Sequence, residues 1–391
     1  MGSLPQRGGV RAIITTRVVR LAAAVLAVIG ASGAAVVATA VPAGATSSWS
    51  VAKAPNIALV LSSVSCVSAT FCKAVGGTSI ESWNGATWTV DSTPNPGSGG
   101  LVSVSCATAA SCTAVGSYTD GAGHPHTLIE SWNGQAWSIS ASPKKTAYTL
   151  LSVSCVSATA CKAVGYQTSA TAGRQTLIEK LNGIRWSVVT SPNVVGSTPI
   201  ANELTGVSCT SANACMAVGD DTNGGVNGEQ TLIESLNGQN WSIVASPDPG
   251  TPSQFSAGNF LFGVSCARAT SCKAIGWFYN SEVPQTLIES WDGTNWTLDA
   301  SPNPGADYST LASVSCVSAS FCKAVGVTYG GGSLQTLIES WHLGAWTVDS
   351  SPNVGKGDNR LSGVSCGSTT SCNAVGYHVT AAATTLIESY G

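Results

Sequence analysis

From about residue 60 onward, short runs that alternate apolar and small polar positions are separated by turn residues, and the stretch Leu101 to Pro143 sets the pattern. It opens with L-V-S-V-S-C, continues through C-T-A-V-G and a loop to T-L-I-E-S-W-N-G, and closes on W-S-I-S-A-S-P. Period-two alternation of this kind predicts strands. Strand A is L-x-S/G-V-S-C and strand B is C-x-A-V/I-G, joined by a five-residue link that suits a hairpin loop. Strand C is T-L-I-E-S, which usually runs into Asn-Gly or Asp-Gly, a strong short turn signal. Strand D is W-S/T-x and stops at Ser-Pro or Thr-Pro, because proline has no amide to give to a ladder.

Seven cysteine pairs mark seven copies: Cys66/Cys72, Cys106/Cys112, Cys155/Cys161, Cys209/Cys215, Cys266/Cys272, Cys316/Cys322 and Cys366/Cys372. We number the repeats 1 to 7 in that order. Successive first cysteines lie 40 to 57 residues apart, the spacing of four-stranded propeller blades. The seventh copy reaches only strand C, at Thr385 to Gly391, while Ser48-Trp49-Ser50-Val51 reads as a strand D with no A to C before it. A ring in which that early strand completes the last blade accounts for both and leaves no bare sheet edge. The sequence therefore predicts an all-β fold over residues 46–391: a seven-bladed β-propeller of four-stranded antiparallel blades, closed by its N-terminal strand.

The motifs V-S-C-x5-C-x-A-V-G and T-L-I-E-x-W-N-G-x-x-W resemble those of secreted β-propeller repeat proteins common in actinobacteria, over about 340 residues. A looser similarity to kelch repeats rests on the Gly after strand B and on the aromatic before the C–D turn, followed by Trp. The chain departs from kelch in its cysteines and in keeping a Gly doublet only at Gly76-Gly77. The Tyr/His ligand set of kelch-domain copper oxidases is not found, so their activity does not carry over.

Residues present in every copy read as scaffold. Each C-x5-C predicts a local disulfide, since zinc would need two pairs to converge. Trp49, Trp88, Trp137, Trp186, Trp241, Trp296 and Trp346 open strand D, opposite Trp83, Trp132, Leu181, Leu236, Trp291, Trp341 and Tyr390 on strand C. Period-two counting puts both sets on one face, for packing between blades. Glu81, Glu130, Glu179, Glu234, Glu289, Glu339 and Glu388 alternate onto that face. Seven equivalent carboxylates suit no single glycosidase site, and a repeated hydrogen bond to a backbone amide is the expected role.

Charged residues make up 9% of the chain, and Gly, Ser, Thr, Ala and Val are abundant, which suits strands and tight turns. Arg7, Arg11, Arg17 and Arg20 precede an apolar run from Leu21 to Val41, and Ala43-Gly44-Ala45 supplies a cleavage site. Residues 1–45 thus predict a signal peptide, with an uncleaved membrane anchor as the alternative. Either places the repeats outside the cytoplasm, as a secreted or surface-held monomer. Without those four arginines, 13 Lys and Arg face 20 Asp and Glu, a net charge of −7 that argues against nucleic acid or an anionic membrane as partner.

No Walker loop, H-E-x-x-H or G-x-S-x-G is present. His124 and His126 share a loop without an evident third ligand, and Asp221-Thr222-Asn223-Gly224-Gly225 lacks the closing Glu of a calcium loop. No cofactor, metal or catalytic set is expected. Function is expected on the face carrying the B–C and D–A loops, because these vary while the A–B and C–D links do not. The longest B–C loop is predicted at Asp220 to Gln230 and the longest D–A loop at Asp248 to Phe260. Here Phe255, Phe260, Trp277, Phe278 and Tyr279 lie beside Asp220, Asp221 and Glu229, a set that suits a partner's apolar anchor or a sugar ring and equally suits a cover over the seam between repeats 4 and 5. The sequence reading is a non-catalytic binding scaffold for a protein or glycan, with a lectin and a glycan-cleaving enzyme as alternatives.

Overall fold

The structure, a computed structural model, describes residues 47–55, 60–94, 99–143, 147–169, 173–195, 201–222, 228–250, 258–281, 283–305 and 307–391. The expected export segment and Phe255 lie outside the described residues, as does most of the Asp221–Gly225 turn. Among the described residues there is no helix, and so none long and apolar enough to cross a membrane. The strands form five four-stranded sheets and one of eight. The larger sheet joins the strands of repeats 3 and 4 through one parallel pair, Arg174 with Ala201. Repeat 2 shows the common plan: Gly99–Thr108, Ser111–Thr119, Pro125–Trp132 and Trp137–Ile139 pair antiparallel in chain order. The early strand Trp49–Val51 pairs antiparallel with Ala383–Tyr390, setting Trp49 opposite Tyr390.

Strands A and B are longer than the motifs suggest. Strand A of repeat 2 runs past Cys106 to Thr108 and strand B starts at Ser111, so two residues turn the hairpin where the sequence predicts five. All seven expected disulfides form, leaving no free cysteine. Their setting corrects the sequence reading, which put them at the ends of a hairpin loop. Cys106 faces Cys112 directly across the ladder, as Cys66 faces Cys72, Cys316 faces Cys322 and Cys366 faces Cys372, so each bridge is a rung inside the paired strands.

The strand-B cysteines are core residues. Cys72, Cys112, Cys322 and Cys372 are at most 2% exposed, and Cys161, Cys215 and Cys272 are buried with them. The cause is alternation, which turns this cysteine towards the preceding repeat. Cys72 packs with Val375 and Ile387, Cys112 with Val75 and Ile80, Cys322 with Ile275 and Ile288, and Cys372 with Val325 and Ile338.

The Gly closing each A-V-G has a steric reason. A register shift between Leu101 and Ser103 bulges strand A towards strand B. A Cβ on Gly116 would meet the carbonyl oxygen of Gly100 at 1.9 Å, so no other residue fits.

Each repeat is cemented to the next by its alternating face. Val115 and Ile129 of repeat 2 pack with Leu150, Val153, Cys161 and Trp186 of repeat 3. In the same way Val375 and Ile387 of repeat 7 pack with Leu61, Val64 and Trp88 of repeat 1. A polar bond follows the same order: the amide of Cys106 donates to Ser65 Oγ at 2.9 Å, that of Cys155 to Ser105 Oγ at 2.9 Å and that of Cys209 to Ser154 Oγ at 3.0 Å. Cys266, Cys316 and Cys366 repeat it with Ser208, Ser265 and Ser315, and Cys66 donates to Ser365 Oγ at 2.9 Å.

The recurring glutamates are fully buried, and their partner corrects the expected backbone amide. The hydroxyl before the proline that ends strand D donates to the carboxyl of the following repeat. Thr93 reaches Glu130 at 2.7 Å, Ser191 reaches Glu234 at 2.9 Å, Ser246 reaches Glu289 at 2.7 Å and Ser351 reaches Glu388 at 2.9 Å. Ser142 and Ser301 serve Glu179 and Glu339. The residue in this place before Glu81 is Ala54, and both Glu81 oxygens lack a partner among the described residues. Burial pushes the Glu81 carboxyl up to about 7 and those of Glu234, Glu289 and Glu339 up to about 8.

Candidate binding site

The residues that vary most between copies occupy one register position. Just before the buried strand-A leucine stand Gly100, Thr149, Glu203, Phe260, Thr310 and Arg360 in repeats 2 to 7. Each faces, across the ladder, the residue that follows the strand-B glycine: Ser117, Tyr166, Asp220, Trp277, Val327 and Tyr377. The bulge and its glycine fix the backbone at this level, leaving the side chains free to differ. Repeat 4 thus carries an acidic pair, repeat 5 an aromatic pair, repeat 6 a Thr/Val pair and repeat 7 an Arg/Tyr pair.

Trp277, Phe278 and Tyr279 belong to strand B of repeat 5, Ser271–Asn280, and not to a loop as predicted. Strand B of repeat 4 likewise runs to Thr222 and strand C begins at Glu229, so the expected loop from Asp220 to Gln230 is shorter by its flanks. Aromatic and paired polar side chains on a twisted ladder sustain strand pairing well beyond the A-V-G motif. Alternation then separates the predicted aromatics. Phe278 is partly buried against the core cluster that repeat 5 shares with Met216, Val218 and Ile233 of repeat 4. Trp277 and Tyr279, one residue to either side of it, take the other face. The Trp277 ring lies 4.3 Å from Phe260 and 5.0 Å, edge-on, from Tyr279. All three of these rings are half-buried. Trp277 also lines a cavity of about 220 Å³ with Phe262, Leu311, Val327 and Arg360.

The acids divide too. Asp220 is buried opposite Glu203, and burial, then the negative charge of Glu203, Glu229 and Asp221, pushes its carboxyl up to about 7. Asp221, next along the strand, projects to the other face, where burial and then Asp248 raise it to about 6. Glu229 is the acid brought to the aromatics: it bridges to Gly258, and a Cβ there would meet both the Phe260 ring, at 2.5 Å, and Glu229 Oε2, at 2.9 Å.

Sequence reading missed Glu203, Arg174 and Arg360. Arg174 Nη1 lies 2.6 Å from Glu203 Oε2, with its guanidinium 4.4 Å above the Tyr166 ring. The signal was the variable residue before each L-x-S/G-V-S-C. His126 Nε2 lies 2.9 Å from Asp120 Oδ2 and His124 Nδ1 3.5 Å from it. Among the described residues no three His, Cys, Asp or Glu side chains are placed to hold a metal ion together, these included.

No family model and no curated protein matches the chain. Among solved structures, YCF48 from Cyanidioschyzon merolae is similar at 15% identity, covering 87% of this chain and 98% of that one with a TM-score of 0.54. YCF48 bound to D1 peptide is similar at 11% identity, covering 89% and 98%, with a TM-score of 0.53. At such identity the likeness speaks for the fold alone: the chain is a repeat β-propeller with the architecture of YCF48.

Proposed function

We propose that residues 46–391 form a closed seven-bladed β-propeller that acts outside the cytoplasm as a non-catalytic scaffold for a protein partner, with residues 1–45 as its export signal. Closure rests on the cyclic order of the Cys amide to Ser hydroxyl bonds, which passes through Cys66 and Ser365, and on the pairing of Trp49 with Tyr390. The export reading is supported by seven disulfides, which persist in oxidising compartments. The observation that carries the binding role is the register position described above. The repeated residues are consumed by packing, while this position sets Phe260 and Trp277 between the acids Glu203, Asp220 and Glu229 on one side and Arg360 on the other. Half-buried aromatics flanked by opposite charges suit the apolar anchor of an extended peptide. On this fold there is a precedent, since YCF48 has been solved with D1 peptide bound.

A random peptide display and a glycan array, each run with the wild-type chain and with Trp277→Ala, test the reading. Peptides sharing an apolar anchor should bind the wild type and be lost from the variant. Binding to glycans alone would favour the lectin instead, and peptide binding that ignores Trp277→Ala would move the site elsewhere.

A further inference from the structure

On the opposite face, that of the A–B and C–D turns, three repeats share a buried ion pair. In repeat 1, Lys73 Nζ is 2.6 Å from Asp91 Oδ2 and 3.7 Å above the Trp132 ring of repeat 2, and Trp137 Nε1 donates to the same carboxylate at 3.0 Å. Ser82 donates to its other oxygen at 2.6 Å. Repeats 5 and 6 build the same cradle around Asp299 and Asp349, with Lys273 and Lys323. Repeats 2, 4 and 7 lack both charges together: the places of Lys and Asp are held by Thr113 and Ser140, Met216 and Val244, and Asn373 and Ala52.

Repeat 3 alone keeps the cation without the anion. Lys162 is 7% exposed and donates to the Ala212 carbonyl at 2.9 Å, but it makes no ion pair among the described residues. Val189 stands where the carboxylate should be, Lys180 replaces the serine, and Leu236 replaces the ring beneath the ammonium. A cavity of about 290 Å³ lies here, lined by Lys162, Lys180, Leu181, Val189, Leu236 and Trp241. Trp241, the counterpart of Trp137, has Val189 in the place of the Asp91 carboxylate. A buried ammonium without a counter-charge is costly, and a second lysine beside it makes the site more electropositive still.

We propose that this cavity binds a carboxylate from outside the chain, seated where Asp91 sits in repeat 1. Lys162, Lys180 and Trp241 Nε1 donate to it, and Leu181, Val189 and Leu236 receive a short apolar body. The same chemistry is offered by the C-terminus of a peptide and by a small organic acid. The site is independent of the face assigned to the protein partner.

Calorimetric titration of the whole exported chain with N-acetyl-glycyl-leucine, with its C-terminal amide and with isobutyrate decides the matter. The free acid should bind and the amide should not. Affinity should fall at least about tenfold in Val189→Asp, which supplies the missing carboxylate internally, and in Lys162→Met, which removes the cation but keeps the bulk. Val189→Asp should melt no lower than the wild type, separating lost binding from lost folding. Isobutyrate binding as tightly as the peptide acid would make a small acid sufficient, whereas peptide binding alone would assign the C-terminus. Equal binding of acid and amide, no binding of either acid, or wild-type affinity in both variants would overturn the proposal.

Discussion

The amide of Cys66 donates to Ser365 Oγ at 2.9 Å, joining residues 299 positions apart. The same bond links all the other pairs of successive repeats, so this one, between the seventh and the first, is made by the general device and not by a special seal. Ser365→Ala should cost about 1 kcal/mol, the usual net value of one such bond, and leave unfolding cooperative. Removal of residues 47–55 should do more. It strips strand D from the sheet of Ala383–Tyr390 and bares an edge, so aggregation or a second, earlier melting transition is expected by size exclusion and calorimetry. A truncated chain that stays monomeric and melts in one step at the wild-type temperature would contradict the proposed closure.

Ala54 is the one break in the hydroxyl-to-glutamate series. Ala54→Ser would place a hydroxyl where the six other repeats have Ser or Thr, and it should satisfy Glu81, whose two oxygens have no partner among the described residues. A gain of about 1 kcal/mol is expected, measured by denaturant melts. No gain, or a loss, would mean that Glu81 finds its partner elsewhere.

The same glutamates set a pH dependence. Their folded pKa values, about 7 for Glu81, Glu179 and Glu388 and about 8 for Glu234, Glu289 and Glu339, lie above the ordinary 4.5. The folded chain therefore holds more protons than the unfolded one between those limits. Their contribution is fully present below pH 4.5 and is lost as the pH rises through about 8. Melting temperature should be higher at pH 5 than at pH 8, and Glu234→Gln should flatten the slope. A melting temperature that climbs over this interval would refute neutral buried carboxyls.

The fold was legible because every repeat carries its own punctuation: the cysteines, the turn glycines and the terminal Ser-Pro are all local signals. What those residues do to one another was less so. C-x5-C announced a bridge, but that Cys112 or Cys372 would be buried against the preceding repeat depends on which way the strand faces once the sheets stack. The serine of Ser-Pro read as the residue before a stop, yet Ser191 serves Glu234 of the next repeat. The glycine of A-V-G gave no hint of the bulge that demands it. Strand ends at Trp277 to Asn280 were missed because W-F-Y-N lies outside the repeated motif and ends in a turn residue, and its strand character comes from its cross-strand partners. Aromatics and acids lie in neighbouring repeats, but period-two alternation sends Phe278 and Asp221 away from Trp277, and no list of loop residues carries that information. Lys162 without its Asp was readable by comparing copies for what one lacks, a comparison that attention to shared residues passes over.

The central claim is that stability resides where the copies agree and binding where they differ. It is tested most directly by thermal melts and peptide binding on two variants. Trp296→Ala removes a ring that is 5% exposed and shared by all copies, and should cost about 3 kcal/mol or more. Trp277→Ala with Tyr279→Ala removes two half-buried rings at the variable position and should abolish binding of display-selected peptides while shifting the melt by less than about a third as much. If the pair destabilises the fold as much as Trp296→Ala and spares peptide binding, those aromatics are structural and the assigned face is wrong.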